Sequence, residues 1–425
     1  MTKKISVWLA ASLIIATTII TFLITFVNAT DLATNNTAAA VANTEASVTE
    51  EPQKQKVSPQ EIVSKVSNKI SELAYYYSNY YVGDIDVDKL VEGAAEGFVA
   101  YSGDKYGQYH TKEEMELLTS DYQGEFAGIG VSVTYNPEYM AIEILSVMDN
   151  SPALEAGLLP NDLVIAVNGE DVAYIGYNEA INRIRGEIGT EVTITIARGA
   201  KYSERLDVTM VRAKVEEQSV TYDEIAVDGI IDPIGYVRIT TFNNKTPEQF
   251  KSAIGEGLTN HIHGFVIDLR NNGGGTLDSV VAMLDMVLEE GPIVRIQYSN
   301  GEETVYESDM YGLSRRMPIV LLVNDNTASA AELFTSSLRD YGRAFVVGEK
   351  TFGKGTVQTI IRLRDGTALR LSTAMYAPPF SDNFEGVGIT PDIEVSLAEE
   401  YRSTNLFKLP YENDAQLQAA INLYK

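Results

Sequence analysis

The chain has no cysteine among its 425 residues, a single tryptophan and only three histidines. The first absence removes disulfides, thiol nucleophiles and thiolate metal sites. The shortage of histidine narrows the chemistry further, because a Ser-His-Asp triad would have to draw on His110, His261 or His263. His261 and His263 stand at the entry to a strand that starts near Gly264, and His110 lies in a polar turn, so all three read as surface or strand-edge residues. No HExxH-like spacing is present, and no catalytic metal or other cofactor is expected. Basic residues are also few, 33 Lys and Arg against 59 Asp and Glu, for a formal charge of −26. That balance argues against nucleic acid, which demands basic patches, and against general adhesion to anionic lipid. Its simplest meaning is high solubility on the outside of a cell. No internal repeat is visible.

The length suits two to three domains behind an appended front end. Lys3 and Lys4 precede an uncharged run from Ile5 to Val27. As a helix this run measures about 35 Å, long enough to span a bilayer. The lysines would stay in the cytoplasm and send the rest outward. The segment 1–29 is therefore expected to be a retained anchor, the alternative being a signal peptide cleaved near Val27-Asn28-Ala29. Both put the remainder on the same side: a single-pass protein at the cell membrane with extracytoplasmic catalytic domains, or a secreted one. Residues 30–57, rich in Thr, Ala, Asn, Glu and Gln, read as a disordered linker.

Ordered sequence begins at Ser58-Pro59-Gln60-Glu61, an N-cap followed by proline and a carboxylate in the first turn. Ile62, Val66, Ile70 and Leu73 give a helical face that Tyr75, Tyr76, Tyr77, Tyr80 and Tyr81 extend, within a helical subdomain over 58–121. The tyrosine cluster is either a homodimer surface or packing inside that subdomain. Residues 122–213 read as a β-rich module with one helix. Gly128-Ile129-Gly130-Val131 opens a strand over Ile129 to Tyr135, and Asn168-Gly169 signals a hairpin. This pattern resembles a PDZ domain, which binds the end of a peptide by strand addition. The resemblance implies that the N–H groups of Gly128, Ile129, Gly130 and Val131 capture a terminal carboxylate.

Residues 214–398 alternate strands and helices, which predicts an α/β core with mostly buried strands. Strands are predicted at Ile234–Phe242, Gly264–Leu269, Ile319–Val323, Ala344–Val347 and Thr356–Leu363, and helices at Thr246–Leu258, Leu277–Leu288 and Ala330–Tyr341. Residues 399–425 read as a tail whose amphipathic helix pattern, Asp414 to Tyr424, is expected to fold back on the enzyme.

Two segments carry the chemistry, Asn326-Thr327-Ala328-Ser329-Ala330-Ala331-Glu332 and Gly353-Lys354-Gly355-Thr356-Val357-Gln358. Together they propose a serine nucleophile whose base is a lysine. A hydroxyl needs a group to take its proton, and lysine can do so only when neutral, with its pKa lowered by burial or a like charge. Ser329 falls at the first turn of a helix, where free N–H groups and the helix dipole favour an oxyanion at the N–H of Ala330. If Lys354 already lies on the strand that follows, Gln358 shares its face and holds the amine. The plainer reading makes Ser329 an N-cap and Lys354 a loop residue. A third segment, Gly264 to Gly275, is a buried strand running into Arg270-Asn271-Asn272-Gly273-Gly274-Gly275. No GKS/T follows, so it is not a nucleotide P-loop, and it offers a second oxyanion donor.

These three segments resemble those of the carboxyl-terminal processing peptidases, or tail-specific proteases, from about residue 60 to the C-terminus. The resemblance implies a crotonase-like (ClpP/crotonase) peptidase core with an inserted PDZ domain. It makes Ser329 the nucleophile, Lys354 the general base and Gln358 the residue orienting the lysine, with Gly274 and Ala330 forming the oxyanion hole. It also implies that helices before the PDZ domain serve in dimerisation, and that Arg185 signals tail binding to the active site. The plainer role for Arg185 is a charge at the negative end of a helix. The chain departs from the family pattern at Gly273, where proline is usual, and at Tyr376-Ala377-Pro378-Pro379-Phe380, where a Pro-Ser-Gly turn is more frequent. Gly388-Ile389-Thr390-Pro391-Asp392 matches it. The expected function is a serine endopeptidase that cuts near apolar C-terminal tails. The rival is a catalytically silent PDZ adaptor. An acyl-CoA enzyme on a related fold is disfavoured by the PDZ insertion and the anchor.

Overall fold

The apolar runs around Ile267 and Leu321 become the centre of a six-stranded sheet, in the order Val220–Ile225, Ile234–Ile239, Gly264–Asp268, Ile319–Val323, Ala344–Gly348, Ile393–Glu394. The first pair is antiparallel and the remaining four pairings are parallel. Both faces are covered, which is why the central strands are apolar throughout rather than alternating. Phe265, Ile267, Leu321, Val323 and Val346 pack with residues of the helices Thr246–Thr259, Leu277–Val287 and Ala330–Asp340. Val266, Val320, Leu322 and Val347 point the other way, onto Leu417, Ala420 and Ile421 of the tail helix Ala415–Asn422. The C-terminal helix thus folds back on the core, as its amphipathic pattern predicts.

The computed structural model describes residues 57–148, 150–309, 317–402 and 404–425. The expected anchor or signal segment, 1–29, and nearly all of the linker lie outside these residues. Among the described residues no helix is long and apolar enough to cross a membrane. The chain divides into two units, Met1–Ile85 and Asp86–Lys425. In the first, helix Pro59–Tyr80 starts on Ser58, whose side chain accepts the N–H of Glu61 at 3.2 Å, with Pro59 in the first turn. Its apolar face and its tyrosines are exposed.

In the second unit, a five-stranded sheet has the order Gln108–His110, Ala368–Ala377, Gly291–Tyr298, Glu303–Ser308, with Thr356–Arg362 also paired to Ala368–Ala377. His110 is buried on the edge strand of this sheet, not in a polar turn. Burial lowers its pKa. The β-rich module forms its own sheet, Val131–Asn136, Ala141–Val147, Leu163–Val167, Glu191–Arg198, Glu204–Val211. It is bounded by an antiparallel pair, Glu125–Gly128 with Ala213–Glu216. Asn168 and Gly169 both have positive φ, 52° and 81°, and close the hairpin between Val167 and Glu170 as predicted. The strand expected from Ile129 begins at Val131, because Ile129 and Gly130 belong to the turn between two strands.

Candidate active site

The buried strand Ile319–Val323 delivers the chain into the turn Asn324–Thr327. This turn is laced to the glycine-rich turn of the neighbouring strand. Asn271 Oδ1 accepts from the side-chain amides of Asn324 (2.7 Å) and Asn326 (3.2 Å), and Ala328 N–H donates to Asn272 O at 2.9 Å. Thr327 Oγ1 donates to Leu269 O at 2.9 Å. Ser329 follows at φ 58°, ψ −119°, a strained region for a residue with a side chain, and the helix Ala330–Asp340 begins directly after it. Its side chain is nearly buried. Ala330, at the helix start, has an N–H with no acceptor among the described residues.

The glycine-rich turn abuts the serine. Gly274 has φ +102°, and a Cβ there would lie 2.8 Å from both Ser329 Cβ and Ala328 O and 2.9 Å from Ala330 N. Only glycine fits at that distance. The N–H of Gly274 donates to Asn272 Oδ1 at 2.9 Å, so of the two expected oxyanion donors Ala330 is free and Gly274 is engaged within its own turn.

Lys354 lies in the irregular segment 351–355, before the strand Thr356–Arg362 rather than on it. At Gly353, φ is +86° and a Cβ would meet Gly388 N at 2.8 Å, so the chain closes tightly beside the lysine. The ammonium lies over the ring of Tyr106, 4.9 Å from its centroid. Burial lowers the lysine's pKa, the charge of Arg370 lowers it further, and the carboxylates of Glu385, Asp104 and Glu332 oppose the shift.

Serine and lysine are brought to one site but are not bonded to each other. Ser329 Oγ is 2.8 Å from Tyr376 Oη, which also donates to Lys354 O at 3.1 Å. Gln358 does not reach the lysine, since its amide donates to Thr356 O and Oγ1 at 3.0 and 2.6 Å. Gln358 would share the face of Lys354 only on an unbroken strand. Lys354 precedes that strand, and the pairing shifts register between Val357 and Gln358. None of the three histidines is hydrogen-bonded to Ser329.

Three residues of the site were not singled out in the sequence. Tyr376 lies in a segment noted only for its departure from a family pattern. Tyr106, whose hydroxyl is 3.1 Å from Glu385 Oε1, carries no local signal. Glu332 is fully buried and accepts from the backbone N–H of Ser329, Gly353 and Lys354 and from Thr351 Oγ1. The spacing Ser329-x-x-Glu332 is that of a capping box and could have drawn attention to it.

In the β-rich module, Val131–Asn136 is an edge strand facing the helix Tyr177–Ile184. A groove of about 600 Å³ runs between them, lined by Gly128, Ile129, Gly130, Val131, Ile181 and Arg185, with Thr240 and Phe407 from outside the module. No described group accepts from the N–H of Ile129 or Gly130. The guanidinium of Arg185 sits over the ring of Phe126 at 5.8 Å. The C-terminal carbonyls of the helix are instead taken by Arg212, which donates to Arg183 O and Ile184 O at 2.6 and 3.0 Å.

These features have counterparts in known proteins. The model of peptidase family S41 matches residues 233–395, and a PDZ-domain model matches residues 143–198. A carboxy-terminal-processing protease of Bartonella bacilliformis is 36% identical over 329 residues, covering 76% of this chain and 74% of the relative. A probable CtpA-like serine protease of Staphylococcus aureus (strain COL) is 34% identical over 341 residues, covering 80% of this chain and 66% of the relative. A solved structure from Bacteroides fragilis, assigned to the S41 proteases, shares the fold at 18% identity and a TM-score of 0.54, covering 81% of this chain and 92% of that one. The chain belongs to peptidase family S41, among the carboxy-terminal-processing proteases, and is a serine-type peptidase that carries a PDZ domain.

Proposed function

We propose that this protein is an extracytoplasmic endopeptidase that recognises protein C-termini through its PDZ groove and cleaves near apolar tails by a Ser329–Lys354 dyad on a crotonase-like core. The observation that carries the reading is the convergence of four groups. A strained, nearly buried serine stands at a helix N-terminus beside the free N–H of Ala330. Gly274 abuts it, and a lysine whose pKa is lowered by burial lies in the adjoining segment. In turnover the neutral amine of Lys354 takes the Ser329 proton as Oγ attacks the scissile carbonyl, and then returns a proton to the leaving amine. Water next hydrolyses the acyl-enzyme. The oxyanion is stabilised by the N–H of Ala330, joined by that of Gly274 once it leaves Asn272.

For the groups to act, Ser329 Oγ exchanges Tyr376 for Lys354, and Gln358 turns from Thr356 towards the amine. Tail binding at the N–H groups of Gly128 to Val131 is the proposed trigger, with Arg185 at the groove edge as the sensing residue. Residues 1–29 anchor or export the chain, and the exposed face of helix Pro59–Tyr80 is the proposed dimer contact. The alternative, a silent PDZ adaptor, draws on the Ser329–Tyr376 bond. The test is cleavage of an unfolded protein with an apolar C-terminus across a pH series. Ser329→Ala and Lys354→Ala are expected to retain the fold and lose cleavage. Binding without cleavage by the parent protein would favour the adaptor.

A further inference from the structure

Glu332 has no exposed surface and no ion-pair partner among the described residues, an unusual situation for a carboxylate. Its two oxygens offer about four acceptor positions, and four donors occupy them. Oε1 accepts from Thr351 Oγ1 at 2.6 Å and Gly353 N at 2.7 Å. Oε2 accepts from Ser329 N at 2.9 Å and Lys354 N at 2.8 Å. A single oxygen atom therefore binds the backbone of both the serine and the lysine. These two residues come from different elements, the serine from the turn after Ile319–Val323 and the lysine from the segment after Ala344–Gly348.

Four donors around two oxygens require an acceptor-only group. A protonated acid, through its O–H, or a glutamine, through its NH2, would set a donor against donors at one of the two terminal positions. Burial pushes the carboxyl pKa up, opposed by its bonds to Thr351, Lys354, Gly353 and Ser329. The helix N-terminus, where Glu332 occupies the first turn, favours its charge.

We propose that Glu332 is a positioning residue for peptide hydrolysis, fixing the separation of nucleophile and base by holding both backbones on one carboxylate. The inference rests on the Ser329–Lys354 reading. It reaches the reaction only through geometry and field, since Glu332 touches neither substrate nor the reacting atoms. Its charge also bears on the base. The charged and titratable groups acting on the Lys354 amine are Arg370, Glu385, Asp104 and Glu332, with the Tyr106 ring beneath it. Loss of the Glu332 charge removes one influence that keeps the amine protonated.

The test uses the intact protein with Glu332→Gln and Glu332→Asp, and Ser329→Ala as control. For Glu332→Gln, kcat on an unfolded protein with an apolar tail is expected to fall on the order of 100-fold, the effect of misplacing reacting groups by about 1 Å, with KM unchanged. The acid limb of its pH–kcat profile is expected to move to lower pH. Glu332→Asp, which keeps the charge, is expected to leave that limb in place and recover part of the rate. A merely structural role would lower kcat in proportion to stability and leave the limb unmoved in both variants, which would overturn the proposal. Amide hydrogen exchange supplies a readout independent of turnover. Glu332→Gln is expected to accelerate exchange at Ser329, Gly353 and Lys354 while the strand Ile319–Val323 stays protected, and unchanged exchange at those amides would overturn the tie. Activity that persists in Ser329→Ala would instead sink the dyad reading, and the exchange result would still decide the role of Glu332.

Discussion

At the residue scale the site is governed by what each polar group is bonded to before substrate arrives. Ser329 Oγ shares a hydrogen bond with Tyr376, a phenol buried in the core whose pKa burial raises, so it stays protonated across the physiological range. Such a phenol can hold the serine hydroxyl but cannot take its proton at neutral pH. Tyr376→Phe removes this competitor for Oγ while keeping the packing of the ring against Phe384. A neutral hydrogen bond contributes about 0.5–1.5 kcal/mol, so labelling of Ser329 by a serine-directed electrophile should accelerate by about two- to tenfold. A slower reaction would make Tyr376 a required part of the machinery. The helix-start position of Ser329 and Ala330 and the tight, glycine-flanked setting of Lys354 were legible in the sequence because both are local signals. Tyr106 was not, because its place over the lysine depends on a contact across some 250 residues of chain.

At the element scale the core strands were the easiest to read. Ile319–Val323 is apolar at every position because both faces of the sheet are covered, and its bounds match the prediction. The strands Gly291–Tyr298, Glu303–Ser308 and Ala368–Ala377 gave no comparable signal, being partly exposed with mixed polarity. Gln358 shows how an irregularity defeats period-two reasoning, since one register shift changes which face a side chain meets. The tail helix has an anchor that its amphipathic pattern did not announce. Asp414 caps it by accepting from Leu417 N at 3.0 Å and takes two bonds from buried Arg270, at 3.0 and 2.8 Å. Arg270 in turn pairs with Asp268 on the strand that leads into the glycine-rich turn. Removing one partner of a buried pair costs about 3–5 kcal/mol. Asp414→Ala should therefore lower the unfolding free energy by roughly 3 kcal/mol in urea titration, and a loss below about 1 kcal/mol would show that Asp268 and Gln416 together satisfy the arginine.

At the scale of the whole molecule, the groove of the PDZ module and the candidate peptidase site share one unit of the chain, Asp86–Lys425. The β-rich PDZ module and the α/β peptidase fold were legible because hairpin signals, buried runs and glycine-rich turns occur in blocks along the sequence. The state of the site was not, because hydrogen-bond partners are settled only when distant segments meet. The edge strand Val131–Asn136 and the open N–H groups of Ile129 and Gly130 fit an incoming chain end that adds as a strand. A free carboxylate is the group those N–H donors would hold, so its loss should be felt at the distant serine. The most direct measurement compares cleavage by the intact protein of one unfolded, apolar-tailed polypeptide with its C-terminus free or amidated, with Ser329→Ala alongside. Cuts near the free tail are expected, with cleavage at least about tenfold slower after amidation, equivalent to a loss of about 1.4 kcal/mol, and none by Ser329→Ala. Equal cleavage of both polypeptides, or cleavage that survives Ser329→Ala, would contradict it.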